Sequence, residues 1–105
     1  MAIINTRLDS ISPTTVFEAV GQQAITVIYL CNTTGITCTA NVFVINSGDS
    51  TSSADTNMVY SQLELTANDT YVVSMEKLIL DNADLIEVES NVPNCITVTV
   101  SSIAV

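Results

Sequence analysis

The chain has 105 residues, enough for one small domain with a single core. Apolar residues make up 48% and charged residues 12%; 14 Thr, 11 Ser and 9 Asn fill the gap, and Val and Ile supply 24 residues, a mixture that excludes a helical bundle or coiled coil, resists disorder and favours an all-β domain. Eleven acids face only two bases, Arg7 and Lys77, so the cations needed to neutralise a phosphate backbone or an anionic membrane surface are missing.

The start, Met1 to Arg7, has no basic segment followed by an apolar stretch, and no run approaches the length of a membrane span. Synthesis in a cytoplasm is therefore expected. The sequons Asn32-Thr33-Thr34 and Asn68-Asp69-Thr70 then read as turn chemistry.

Residues 1–13 are irregular, end at Ser12-Pro13, and read as an N-terminal arm ahead of a sandwich domain over 14–105. The arm carries Ile3, Ile4, Leu8 and Ile11, more apolar material than a solvated tail requires. Packing on its own domain and docking on a neighbour are both open readings.

After Pro13 come short alternating runs separated by turn residues. The runs are Thr14 to Val20, Ala24 to Asn32, Ile36 to Asn46, Met58 to Leu65, Thr70 to Met75, Leu78 to Leu80, Leu85 to Glu89 and Cys95 to Val105. Seven or eight strands at this spacing predict an Ig-like or jelly-roll-like antiparallel β-sandwich. A small-polar loop covers Ser47 to Thr56.

The second and third runs suggest a hairpin centred on Thr34-Gly35, with Gly35 supplying a positive φ. Cys31 would then face Cys38, Tyr29 Ala40, Val27 Val42 and Ile25 Val44, all on a core face. The opposite face would hold Ile28, Leu30, Phe43 and Ile45, too apolar for a solvated sheet surface. Cover by loops or the arm is one reading; a subunit interface is the preferred one. In the later runs Ile86, Val88, Ile96, Val98 and Val100 should face in, with Glu87, Glu89, Thr97, Thr99 and Ser101 facing out.

Catalytic chemistry is hard to assemble from these residues. Without His, Ser-His-Asp and Cys-His arrangements cannot be built. The cysteines form no C-x-x-C knuckle, and no Gly-rich phosphate loop is present. Cys31 and Cys38 could be bridged across the expected hairpin, but free buried thiols are favoured, with Cys95 lacking an evident partner. Asp81, Asn82 and Asp84 offer oxygens for calcium, yet ordinary turn roles explain them better. No enzyme activity, metal or cofactor is expected.

The order of these features resembles the small β-sandwich virion proteins of tailed bacteriophages, cyanophage proteins in particular. The resemblance is carried by Thr14-Thr15-Val16-Phe17-Glu18-Ala19-Val20, by Leu30-Cys31-Asn32-Thr33-Thr34, by Leu65-Thr66-Ala67-Asn68-Asp69-Thr70-Tyr71, and by Leu80-Asp81-Asn82-Ala83-Asp84. Ala83 departs from the Gly that many such proteins have there. The resemblance implies a multi-copy structural component of the virion, made in the host cytoplasm. It would be a capsid decoration or cement protein first, and a neck, tail or fibre component second. Its partners would be other virion proteins and further copies of itself, engaged through Ile3, Ile4, Leu8, Ile11, Ile28, Leu30, Phe43 and Ile45. The rival is a receptor- or carbohydrate-binding module using loops 47–56 and 91–94.

Overall fold

A computed structural model describes residues 2–47 and 57–105, leaving the side chains of residue 2 and of residues 74–77 undescribed. It contains eight strands among the described residues: β1 Ala2–Arg7, β2 Thr14–Glu18, β3 Gln23–Asn32, β4 Cys38–Ile45, β5 Met58–Leu65, β6 Thr70–Leu80, β7 Leu85–Ser90 and β8 Ile96–Ala104. They form two four-stranded antiparallel sheets, β1-β8-β3-β6 (sheet A) and β2-β7-β4-β5 (sheet B). The pairs β1–β8, β2–β7, β3–β6 and β4–β5 are those of one long antiparallel ribbon folded at the β4–β5 connection. The ladders β3–β8 and β4–β7 then roll that ribbon into two layers. This winding is a jelly roll. An Ig-like order, the other sequence-based expectation, does not occur.

Three expectations are corrected by this topology. First, β3 and β4 lie in different sheets, so the segment through Thr34-Gly35 is an arch between layers and not a hairpin turn. Gly35 does not adopt a positive φ; among the described residues Gly21, Gln62, Asn68, Ala83 and Asn94 do. Secondly, the stretch read as two runs, Thr70 to Met75 and Leu78 to Leu80, is the single strand β6. Thirdly, residues 2–7 of the expected arm form an edge strand paired from Ala2↔Ser102 to Arg7↔Thr97. Leu8 follows it fully buried, with its N–H donating to the Ile96 carbonyl.

A bulge sets the faces of β3. Its pairing with β8 runs Ile25↔Ser102 and then Val27↔Ser101, so one extra residue, Thr26, is inserted. The Thr26 hydroxyl donates to the Ser101 carbonyl at 3.1 Å. The inserted residue reverses the alternation. Ile25 and Ile28 therefore both point inward, followed by Leu30 and Asn32, while Val27, Tyr29 and Cys31 turn outward.

The core is aliphatic. Leu8, Ile25, Ile28, Leu30, Val42, Ile86, Val88, Ile96, Val98 and Val100 are fully buried between the sheets, with Phe17 at one end. The expected alternation of β7 and β8 is observed, with Glu87, Glu89, Thr97, Thr99 and Ser101 on the outer faces. At the open side, Tyr60 of β5 and Tyr71 of β6 meet edge to face, ring centroids 6.3 Å apart.

Candidate interaction surface

Side-chain chemistry divides sharply between the two outer faces. On sheet A, register aligns Arg7, Thr97, Cys31 and Thr70 in one row, and Asn5, Thr99, Tyr29 and Val72 in the next. Beyond these stand Ile3, Ser101 and Val27, then Ile103, Ala24 and Ile79. Among the described residues this face carries no carboxylate, although the chain has eleven. Ile3 is 65% exposed, Val72 53%, Ile79 55% and Tyr29 41%. The hydroxyls between them are short, and Thr99 donates to the Asn5 side chain at 2.8 Å.

Sheet B presents the opposite character. Its outer rows hold Thr15 beside Glu87, Asn41 beside Glu89, and Thr39 beside Glu64, with Glu18 at the β2 edge. These acids are engaged in part by neutral donors. The Thr15 hydroxyl donates to Glu87 at 3.0 Å, and Asn41 Nδ2 donates to Glu89 at 2.8 Å. Asn41 Oδ1 accepts the Gln62 N–H at 2.7 Å, at a β5 irregularity where Gln62 takes a φ of 53°.

The residues expected to form an interface are scattered by the fold. Ile3 lies on the outer face of sheet A, and Ile11 is exposed between β1 and β2. Ile4 faces the β2 side, at the rim of a recess. Leu8, Ile28 and Leu30 are core residues. Phe43 and Ile45 occupy outward positions of β4, in register with Glu87 and Leu85, and are 3% and 0% exposed. Five of the eight expected residues, Leu8, Ile28, Leu30, Phe43 and Ile45, are thus buried, and the three exposed ones, Ile3, Ile4 and Ile11, do not share one face; the bulge at Thr26 is what turns Ile28 and Leu30 inward. The face that does exist uses Tyr29, Val72, Ile79 and Ile103, which were expected in the core or in no site. The alternation of Thr97, Thr99 and Ser101 was the signal that could have located it.

The recess beside Ile4 has a volume of about 180 Å³ and is lined by Ile4, Phe17, Glu18, Val20, Gln23 and Ser102. Ser102 is buried, and its hydroxyl has no hydrogen-bond partner among the described residues.

The acids considered for calcium are absorbed by turns. Asp84 accepts the Ser47 N–H at 3.0 Å and the Asp81 N–H at 2.9 Å; Asn82 accepts the Gly21 N–H, and Asp81 accepts from Gln22 Nε2. The Ser47 N–H foremost, with the Asp81 N–H and against some desolvation, holds the Asp84 carboxyl below its ordinary range. Among the described residues no group of potential metal ligands is assembled, and no helix is long and apolar enough to cross a membrane. Of the loops considered for receptor binding, 48–56 lie outside the described residues. In the other, Asn91 is tied down at both ends: its side chain accepts the Thr39 N–H at 2.8 Å, and its own N–H donates to the Thr39 carbonyl.

No protein-family model matches the chain, and no curated protein matches it. Among solved structures, a chain in a structure of infectious bursal disease virus, Gx strain, is similar to it with a TM-score of 0.36 and 13% sequence identity. That similarity covers 95% of this chain and 28% of the viral one, so the chain spans little more than a quarter of its neighbour's length.

Proposed function

We propose that this protein is a structural component of a virion, held in many copies through the outer face of sheet A. The observation that carries the reading is the separation of charge. In a chain of net charge −9, the described part of one sheet face carries no carboxylate and is studded with half-exposed Ile, Val and Tyr. Burying that face against protein costs little desolvation of charge and removes apolar surface from water. The acidic face of sheet B stays in solvent and keeps unassembled copies apart. Jelly rolls serve as capsid domains and as binding modules, so the winding alone does not choose; the face favours assembly.

Size argues for many contacts per copy. Four strands spaced about 4.8 Å apart and about nine residues long present roughly 600 Å² in projection. A standard interface takes about 800 Å² from each partner. One such face gives modest affinity, and a repeating lattice of neighbours multiplies it. The preferred location is the outside of a tailed-phage capsid, as a decoration or cement protein; a neck, tail or fibre position would use the same face. This finer placement rests on the sequence motifs quoted above.

Particles purified from cells that make the protein supply the test. Mass spectrometry should find the chain in many copies per particle, and the double variant Tyr29→Glu/Val72→Glu should remain in the soluble fraction. Absence of the chain from particles, or undiminished incorporation of the variant, would overturn the reading.

A further inference from the structure

Cys38 opens β4 in sheet B, and Cys95 precedes β8 in sheet A. Both thiols are buried, 1% and 0% exposed, and their Sγ atoms stand 2.7 Å apart. Non-bonded carbon atoms settle at about 3.5–4.0 Å, and sulfur is larger than carbon. A disulfide places its sulfurs about 2.0 Å apart. The separation lies inside ordinary non-bonded contact and beyond a bond length, so the backbone positions of Cys38 and Cys95 bring the two sulfurs within reach of a bond.

The surroundings suit a bridge. Cys95 Sγ lies 3.2 Å from Asn32 Oδ1 and 3.3 Å from Thr34 Oγ1. Asn32 Oδ1 also accepts the Thr34 N–H at 2.9 Å and the Thr34 hydroxyl at 2.8 Å. Loss of the Cys95 proton thus leaves that buried oxygen with two donors and orphans nothing. The Cys95 carbonyl accepts the Thr33 N–H at 2.9 Å, fixing the segment beside the arch. Cys31 takes no part: it sits outward on β3 in the row of Arg7 and Thr97.

We propose that Cys38 and Cys95 form an intramolecular disulfide that bolts sheet A to sheet B at the end of the sandwich crossed by the Asn32–Cys38 arch. The oxidant is a small-molecule disulfide such as oxidised glutathione. One cysteine thiolate attacks it, forming a mixed disulfide and releasing one molecule of reduced thiol. The second cysteine then attacks the mixed disulfide, forming the Cys38–Cys95 bond and releasing the second. Two protein thiols are oxidised, one small disulfide is reduced to two thiols, and the two protons leave with them. Burial keeps both sulfurs from reagents in the closed sandwich. The exchange therefore takes place before the sheets close, or when the arch opens. A chain made in a reducing cytoplasm starts with both thiols and acquires the bridge on meeting oxidant. The bridge does not depend on the virion reading.

The test takes the full chain through a redox buffer of oxidised and reduced glutathione, followed by denaturation in acid, alkylation and digestion. One alkylated cysteine, Cys31, is expected, with a Cys38–Cys95 peptide pair that dithiothreitol separates. The variant Cys31→Ser should form the same pair, and Cys38→Ser should not. The oxidised protein should melt roughly 10 °C higher than the reduced one. Three alkylated cysteines, a bridge through Cys31, or glutathione retained on Cys38 or Cys95 would overturn the proposal. Equal melting temperatures for the two forms would remove the bolting role.

Discussion

The Asn32 side chain of sheet A donates to the Leu65 carbonyl of sheet B at 3.1 Å, entirely out of contact with solvent. Its second Nδ2 bond goes to the Ile36 carbonyl at 2.7 Å, and its oxygen takes the Thr34 N–H and hydroxyl. One amide therefore satisfies the backbone of an arch that leaves β3 for the other layer. Asn32→Leu fills similar volume but orphans the buried Leu65 carbonyl and strips partly buried groups of Thr34 and Ile36 of their partner, a buried orphan being worth about 1–3 kcal/mol. A loss of roughly 3 kcal/mol or more in urea-monitored stability is expected. Asn32→Asp should cost at least as much, because a carboxylate cannot donate to the two carbonyls. A loss under 1 kcal/mol would mean that water or a relaxed arch replaces the amide.

Ser102 is the converse case. Its hydroxyl is buried beside Ile4 and Phe17 with no partner among the described residues, so it contributes desolvation cost without a compensating bond. Ser102→Ala removes only that oxygen. It should be neutral or stabilising by up to about 1 kcal/mol, seen as a raised melting temperature. A clear destabilisation would show that the hydroxyl is bonded, for example to a water in the recess.

Asp84 makes the stability pH-dependent in a defined direction. Its folded carboxyl ionises below its ordinary range because the Ser47 N–H, and then the Asp81 N–H, bond the charged form. A depressed folded value contributes stability that is complete above the unfolded pKa, near 3.9, and is lost as pH falls through the folded one. Wild-type protein should therefore lose more stability than Asp84→Asn from about pH 4 downward. Near pH 7, Asp84→Ala should cost about 1 kcal/mol, because both amides can turn to water. Parallel acid profiles for wild type and Asp84→Asn would refute the assignment.

Much of the fold was legible because most strands alternate. Ile86 and Val88 inward against Glu87 and Glu89 outward, and Ile96, Val98 and Val100 against Thr97, Thr99 and Ser101, read correctly from pattern alone. The faces of β3 and its pairing with β4 defeated the same method, although Cys38, Ala40 and Val42 of β4 do face the core as their alternation predicts. Both strands are apolar on each face, so pairing them as a hairpin satisfied every local rule. Nothing in Ala24-Ile25-Thr26-Val27 marks the bulge that turns Ile28 inward and Tyr29 outward. That one residue exchanged core for surface, and with it the candidate interface. Cys38 and Cys95 are 57 positions apart, joined only by the rolling of the ribbon, a contact no local pattern contains.

The N-terminal segment gives the last prediction, because, of its two open readings, the structure shows packing on its own domain. A removable arm could be deleted while the sandwich still folded. Here β1 pairs along its length with β8, and Leu8 is fully buried in the core. The Leu8 carbonyl accepts the Asn94 N–H at 2.8 Å, and Arg7 reaches the Asn94 carbonyl at 3.3 Å. Deleting residues 1–12 would strip one edge of sheet A, open the β8 backbone to solvent and leave a hole where Leu8 sat. Leu8→Ala alone should cost about 2–5 kcal/mol, and the deletion should abolish the cooperative thermal transition. Ile3→Ser, on the outer face of the same strand, should change stability by no more than about 0.5 kcal/mol while weakening any assembly that uses that face. If the truncated chain melts cooperatively near the wild-type temperature, β1 is a detachable arm after all, and docking through it becomes tenable again.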